Sequence, residues 1–242
     1  MPPIPSARIV AAKALARIEF REENEKLNVW TALLTLEHKY GSDQTLQNTV
    51  DKACNHCNPK QVYLRVCEIL EKDISSSPDT SARANDMYAK MCKKFKSKKK
   101  VWIAHLEFLL KQSRHQEAHA LLKRALLSLA SYKHAETMSK FAQLEFEYGS
   151  AERARTVFDG IVDKYPKRLD LLFVYLDKEV KFGTISNARQ LLERKVEDAK
   201  LSDKQMKSLF KKWFRIEEEH GTEEQQEHVK NTAREYVQRT SN

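Results

Sequence analysis

The side chains of this sequence best placed to do chemistry are lysines. Between Lys90 and Lys100 stand seven of them, at 90, 93, 94, 96, 98, 99 and 100, with no acid in the run and Phe95 inside it. Ammonium groups at this density release condensed counterions when they meet phosphates. Lys93, Lys94, Lys96, Lys98, Lys99 and Lys100 are therefore candidate contacts for an RNA backbone, steeply salt-dependent and indifferent to base sequence. The alternative is a solvated connector, although like charges so crowded cost stability unless something anionic answers them. A second set, Lys204, Lys207, Lys211 and Lys212, recurs at near-helical spacing and so shares one helix face. Phe210, Trp213 and Phe214 interleave with it; aromatics can stack on bases, but these three fall in an apolar helical phase, and only the lysines are candidates.

Other chemistries find less support. Cys54 and Cys57 form one CxxC without a second pair at zinc-ribbon spacing, and Cys67 and Cys92 stand apart, so free thiols and no metal are expected. His115 and His119 are four apart, but the intervening Gln-Glu-Ala departs from the zincin order. There is no GxSxG, no glycine-rich phosphate loop and no carboxylate pair set apart from ordinary helix-surface acids, so no catalytic residue and no cofactor is assigned. Acids gather at Glu217 to Glu219 and Glu223 to Glu227, a negative patch that suits either a protein partner or a solvated end.

The elements that position these residues must be helices. Only 5 Gly and 6 Pro punctuate 242 residues, 32% are charged, and no stretch alternates apolar and polar as a strand would. The apolar run Leu106 to Leu110 is interrupted by Glu107 and falls far short of the roughly 18 residues of a membrane span, so a soluble protein is expected. The opening MPPIPSARIV lacks the basic start and long apolar core of a secretory signal. Net charge is +9, which suits an anionic partner but also arises from lysine-rich solvated helix faces.

An internal repeat organises the chain. Trp30, Leu64, Trp102, Met138, Leu172 and Phe210 follow one another at intervals of 34, 38, 36, 34 and 38 residues. Eleven residues after each stand Gly41, Ser75, Ser113, Gly149, Gly183 and Gly221, which places four of the five glycines in one phase. A helix turning sharply into an antiparallel partner commonly ends on a left-handed residue, and each glycine is expected to be such a stop. At plus sixteen come Leu46, Ala118, Ala154, Ala188 and Gln226, and at plus twenty Val50, Leu122, Phe158, Leu192 and Lys230, the expected core of each second helix. The second repeat keeps phase when about four extra residues are placed in its turn, within Ser75 to Ser81, whereupon Ala84 and Tyr88 fall in line. Repeats are expected to start near 27, 60, 98, 134, 168 and 204, and the lysine run joins the second to the third. A lone helix over 6–20 matches a second helix without its partner, which predicts a piece of something longer with further domains upstream.

Trp30 with Leu34 and Glu37, a following glycine, and then Ala-Arg with an aromatic or Leu beyond (Ala154-Arg155 with Phe158, Ala188-Arg189 with Leu192) resemble the half-a-TPR, or HAT, repeat. The fold expected is thus an all-α, right-handed α-solenoid of HAT/TPR-like helix pairs, six repeats plus the unpaired helix. The acid at plus seven recurs as Glu37, Glu71, Glu145, Glu179 and Glu217, and the resemblance implies that it ties neighbouring helices together. His119 takes the Arg position of the Ala-Arg pair. The third repeat departs with Leu109 at the acid position, and the sixth with Gln226-Glu227 in place of Ala-Arg.

FREENEKLNVW (Phe20 to Trp30), KFAQLEFEYGSAERAR (Lys140 to Arg155) and YPKR (Tyr165 to Arg168) are similar to the carboxy-terminal region of the ribosomal RNA processing protein five family, called programmed cell death protein eleven in animals. That resemblance spans essentially the whole chain. It implies a nuclear, nucleolar, non-catalytic scaffold of small-subunit pre-ribosome assembly, with RNA-binding OB-fold repeats upstream. The partners implied are small-subunit processome proteins, with pre-rRNA or small nucleolar RNA as further ligands. Two alternatives carry other expectations: a direct, sequence-nonspecific RNA-binding module using both lysine sets, and a HAT scaffold of splicing or messenger 3′-end processing.

Overall fold

A computed structural model describes residues 4–19, 21–74, 78–197 and 201–240. Those residues form thirteen α-helices and no strand, the all-α helical-repeat fold expected. None of these helices is long and apolar enough to cross a membrane.

The chain divides into two compact units, with the boundary after Phe108. The first holds α1 (Ile4–Arg17), α2 (Glu23–Tyr40), α3 (Asp43–His56), α4 (Pro59–Lys72), α5 (Pro78–Lys94) and most of α6 (Lys99–Lys111). The second holds α7 (His115–Ser128), a 3-10 turn at Ser131–Lys133, α8 (His134–Tyr148), α9 (Ala151–Lys164), α10 (Leu169–Phe182), α11 (Ile185–Val196), α12 (Asp203–His220) and α13 (Glu223–Thr240). The phase-eleven position at Ser75, with Ser76 and Ser77 of the expected insertion, lies outside the described residues, as does Phe20.

Within four of the pairs the connection is a glycine followed by a Ser or Thr at the next helix's N-cap: Gly41-Ser42, Gly149-Ser150, Gly183-Thr184 and Gly221-Thr222. A hydroxyl there accepts a hydrogen bond from one of the unpaired first-turn amides. Ser42 does so from Thr45 and Thr184 from Asn187.

The expected left-handed stops are a correction. The four glycines have φ of −92°, −123°, −108° and −104°, none of them left-handed. They are required for space instead. A Cβ on Gly149 would stand 2.0 Å from a carboxylate oxygen of Glu145, and on Gly183 2.1 Å from one of Glu179. Gly41 and Gly221 are crowded in the same way by Glu37 and Glu217. Each glutamate therefore folds back across the glycine four residues later. Ser113, at the same phase but four residues after Leu109, is the only non-glycine residue with positive φ among those described, at 57°. There the Arg114 amide donates to the Leu109 carbonyl and the Ser113 amide to that of Leu110, the paired bonds of a Schellman ending.

The alanines at plus sixteen explain the close approach of second helices. Ala84, Ala118, Ala154 and Ala188 are fully buried, and Val50, Phe158 and Leu192 at plus twenty are equally enclosed. Tyr88 is buried as expected, which supports the shifted phase of α5. The last repeat is different, because a lysine ammonium cannot be desolvated without a counter-charge. Lys230 is exposed, over the Phe214 ring and beside Glu227, and Val229 takes the buried place. Trp213 is sealed in, while Phe210 and Phe214 are half-buried and packed on the same core.

Candidate nucleic-acid interface

The recurrent acids are buried and committed to structure. Glu37, Glu145, Glu179 and Glu217 are at most 3% exposed, deep enough that each needs a partner. Each finds it on the second helix of the preceding pair. Arg8 of α1 holds Glu37 of α2 through two bonds of 2.7 Å. Arg155 of α9 holds Glu179 of α10 at 2.7 Å, and Arg189 of α11 holds Glu217 of α12 at 2.8 Å. The planar guanidinium fork suits a carboxylate in a way a lysine cannot match. His119 of α7 occupies the same place beside Glu145 of α8, with Nε2 3.1 Å from Oε1.

The exceptions follow from the sequence. Gln47 stands where the arginine facing Glu71 would be, and Glu71 accepts a hydrogen bond from the Tyr88 hydroxyl instead. Leu109 removes the acid from the third repeat, and the junction between α5 and α6 is made a turn earlier, where Asn85 Oδ1 lies 3.0 Å from His105 Nε2.

Electrostatics agree with this geometry. Burial pushes the Glu179 carboxyl up, but hydrogen bonds from Arg155, the Thr184 amide and Asn187 outweigh it and hold the group below the usual carboxylate range. The hydrogen bond from Arg8, against a smaller cost of burial, does the same for Glu37. Burial raises the thiols of Cys54, Cys57 and Cys67, which keeps them protonated and poor nucleophiles. Among the described residues no group of three His, Cys, Asp or Glu is arranged to hold a metal. Cys92, His105 and Asn85 form a line that resembles a nucleophilic triad, with Sγ 3.8 Å from Nδ1. Cys92 and His105 are buried between α5 and α6, so this arrangement offers a substrate no approach.

What remains exposed is lysine. Lys93 and Lys94 close α5, where the helix dipole favours cations, while Lys99 and Lys100 open α6, where it opposes them and the first turn holds no acidic residue. The turn between is fixed: the Trp102 indole donates to the Lys96 carbonyl at 2.8 Å, and Phe95 packs edge-on against Tyr63. Lys94 lies 5.1 Å over that tyrosine ring, and Lys99 is half-buried. Lys93, Lys96, Lys98 and Lys100 are exposed and make no ion pair among the described residues. The structure thus holds uncompensated ammonium groups on a rigid corner of the first unit, and it commits Phe95 to packing.

The second set divides. Lys204, Lys207 and Lys211 share the exposed face of α12, whereas Lys212 turns to Asp177 of α10 in an ion pair. Lys178 of α10 pairs likewise with Glu147 of α8. Sequence reasoning missed these rungs between successive first helices. Their signal was an acid and a lysine 31 and 35 residues apart, close to the repeat length.

No family model matches the chain. Its curated relatives are ribosomal RNA biogenesis proteins from across the eukaryotes. It is 40% identical over 238 residues to the "Protein RRP5 homolog" of Mus musculus, covering 98% of this chain and 12% of the mouse protein. It is 43% identical over 231 residues to the "rRNA biogenesis protein rrp5" of Schizosaccharomyces pombe, covering 96% of this chain and 13% of that protein. The Arabidopsis thaliana "rRNA biogenesis protein RRP5" is 38% identical over 239 residues, again 98% of this chain and 12% of the relative. The chain thus spans about an eighth of the length of the curated relatives it matches. The similarity first read from three short runs extends over nearly every residue, and it places the chain among the RRP5 ribosomal RNA biogenesis proteins, as the counterpart of one segment of them.

Proposed function

We propose that this chain is a non-catalytic docking scaffold in ribosomal RNA biogenesis, acting in the nucleolus on the small-subunit branch as the carboxy-terminal HAT-repeat arm of a longer factor. The observation that carries the reading is the fate of the buried acids. Glu37, Glu145, Glu179 and Glu217, the groups best placed for acid-base work, lie against Arg8, His119, Arg155 and Arg189 and tie one helix pair to the next. Within a unit, helix pairs linked in this way form a fixed surface for partners, here processome proteins. Affinity purification with the chain tests it: pre-ribosomal proteins should be retained, and retention of none overturns the reading.

A second reading rests on the unpaired lysines. Lys93, Lys96, Lys98 and Lys100 of the first unit, with Lys204, Lys207 and Lys211 of the second, are exposed phosphate contacts for pre-rRNA or small nucleolar RNA. Filter binding to single-stranded and structured RNA across a salt series distinguishes the two. Affinity that falls steeply with salt supports RNA docking, and no measurable affinity leaves protein docking alone.

A further inference from the structure

Beside the last three helices lies a groove of about 590 Å³ whose chemistry is opposite to that of the lysine corners. Trp213 and Leu201, both buried, and half-buried Val196 and Tyr236 give it an apolar lining. Glu193 and Glu197, one turn apart at the end of α11, and Glu235 of α13 stand on its rim. All three carboxylates are exposed, and none makes an ion pair or hydrogen bond among the described residues.

The chain carries 43 Lys and Arg against 34 Asp and Glu, and in this unit Asp159 pairs with Arg194, Asp177 with Lys212 and Glu147 with Lys178, whereas Asp163, Glu223 and Glu224 make no ion pair among the described residues. The nearby Arg189 is already held by Glu217 and Gln225. Among the described residues Arg239 is the only Lys or Arg on the lining, against three carboxylates.

We propose that this groove docks a basic amphipathic helix of a protein partner, with apolar side chains on the half-buried Val196 and Tyr236 and lysines or arginines against Glu193, Glu197 and Glu235. The inference rests on the docking-scaffold reading and supplies one of its sites. A helix is the fitting form because the groove is walled by helices and the described residues present no strand edge on which an extended peptide could add. Charge complementarity selects the partner's sign and hastens its encounter. Three carboxylates repel phosphate, so the groove and the lysine corners serve different ligands.

The test uses the 242-residue chain and a fluorescein-labelled synthetic helical peptide of leucines, lysines and arginines, read by fluorescence anisotropy at several salt concentrations. Binding should weaken roughly tenfold or more in the triple variant E193K/E197K/E235K, in line with the removal of close charge pairs. It should vanish for a peptide whose cations are replaced by glutamate. Because the three positions are exposed, the variant should keep its helical circular dichroism; the milder E193Q/E197Q/E235Q variant should lose affinity in the same direction. Equal binding by wild type and both variants, or no binding by wild type, overturns the proposal. So does a dimer of the free chain, seen in sedimentation, that the triple variant dissolves, since the occupant would then be a second copy. Retention of pre-ribosomal proteins by a chain that ignores the peptide sinks the groove and spares the scaffold; peptide binding without any such retention does the reverse.

Discussion

Arg155 and Glu179 lie 24 residues apart in sequence, yet Nη2 of one stands 2.7 Å from Oε1 of the other, and that same oxygen occupies the space a side chain on Gly183 would need. One carboxylate thus links two helix pairs and dictates the residue that ends its own helix.

Replacing Gly183 by alanine should destabilise the protein by about 1–3 kcal/mol, the usual cost of a forced steric shift. The cost should shrink in an E179A background, where the colliding side chain is gone, although the Glu179 carbonyl still lies 2.9 Å from the new Cβ. Gly160 is the control. It is exposed within α9 with nothing within 4 Å of an added Cβ, so Gly160→Ala should stabilise by about 0.5–1 kcal/mol. Urea unfolding of the variants checks both signs.

Arg155→Ala should cost about 2–3 kcal/mol, towards the lower end for breaking a buried pair, because the arginine is a quarter exposed and Glu179 keeps bonds from Thr184 and Asn187. Arg155→Lys should recover only part of that stability, since an ammonium cannot make the forked contact. Thermal melting of the three proteins orders them.

The depressed carboxylates fix the sign of the acid response. A group whose folded value lies below its unfolded one contributes stability that is present above the unfolded value and is lost as pH falls through the folded value. Glu37 and Glu179 are both lowered from an ordinary 4.5. The urea midpoint should therefore change little through these groups between pH 7 and 5.5 and fall as pH drops below about 4.5. In Arg155→Ala the acid-dependent part should be smaller. A variant whose midpoint follows wild type in parallel across that range would contradict the linkage.

His119 does with one ring nitrogen what arginine does elsewhere with two donors. Neither His119 Nε2 nor Glu145 Oε1 achieves a well-aligned hydrogen bond, despite their 3.1 Å separation. His119→Arg should complete the forked contact and raise stability by about 1 kcal/mol, at the expense of the edge-on packing of His119 against Phe141. A lower melting temperature would show that the ring contact outweighs the fork.

If RNA docks on the lysine corners, neutralising Lys96, Lys98 and Lys100 should make the salt dependence of single-stranded RNA binding shallower, by roughly 0.7 in slope for each phosphate that then keeps its counterions. Neutralising Lys212 should leave the slope unchanged and lower stability slightly, because its charge is spent on Asp177.

Much of this arrangement was legible in spacing. The interval from Glu145 to Gly149 and from Glu179 to Gly183 is four residues, and Ala-Arg recurs at 154 and 188, so the linking residues announced themselves as a period. Their mechanism did not. A glycine after a helix suggests left-handed backbone, and only the positions of the carboxylate oxygens reveal that volume is the constraint. Lys212 looked like its neighbour Lys211 because a sequence cannot say which of two adjacent lysines turns toward the next helix. The acidic groove was hidden for a related reason: Glu193, Glu197 and Glu235 are far apart in the chain, read singly as solvated surface, and become a site only when α11 and α13 flank Trp213.

The pair α10–α11 gives Arg189 to the glutamate of the pair that follows and offers Glu179 to Arg155 of the pair before, so it carries halves of two matching bonds. Removing the 34 residues from Gly160 to Glu193 would keep the helical phase and join the helix bearing Arg155 to the one bearing Glu217, donor and acceptor still matched. A lineage can therefore lengthen or shorten such an array by recombination without having to reinvent a single bond at the seam.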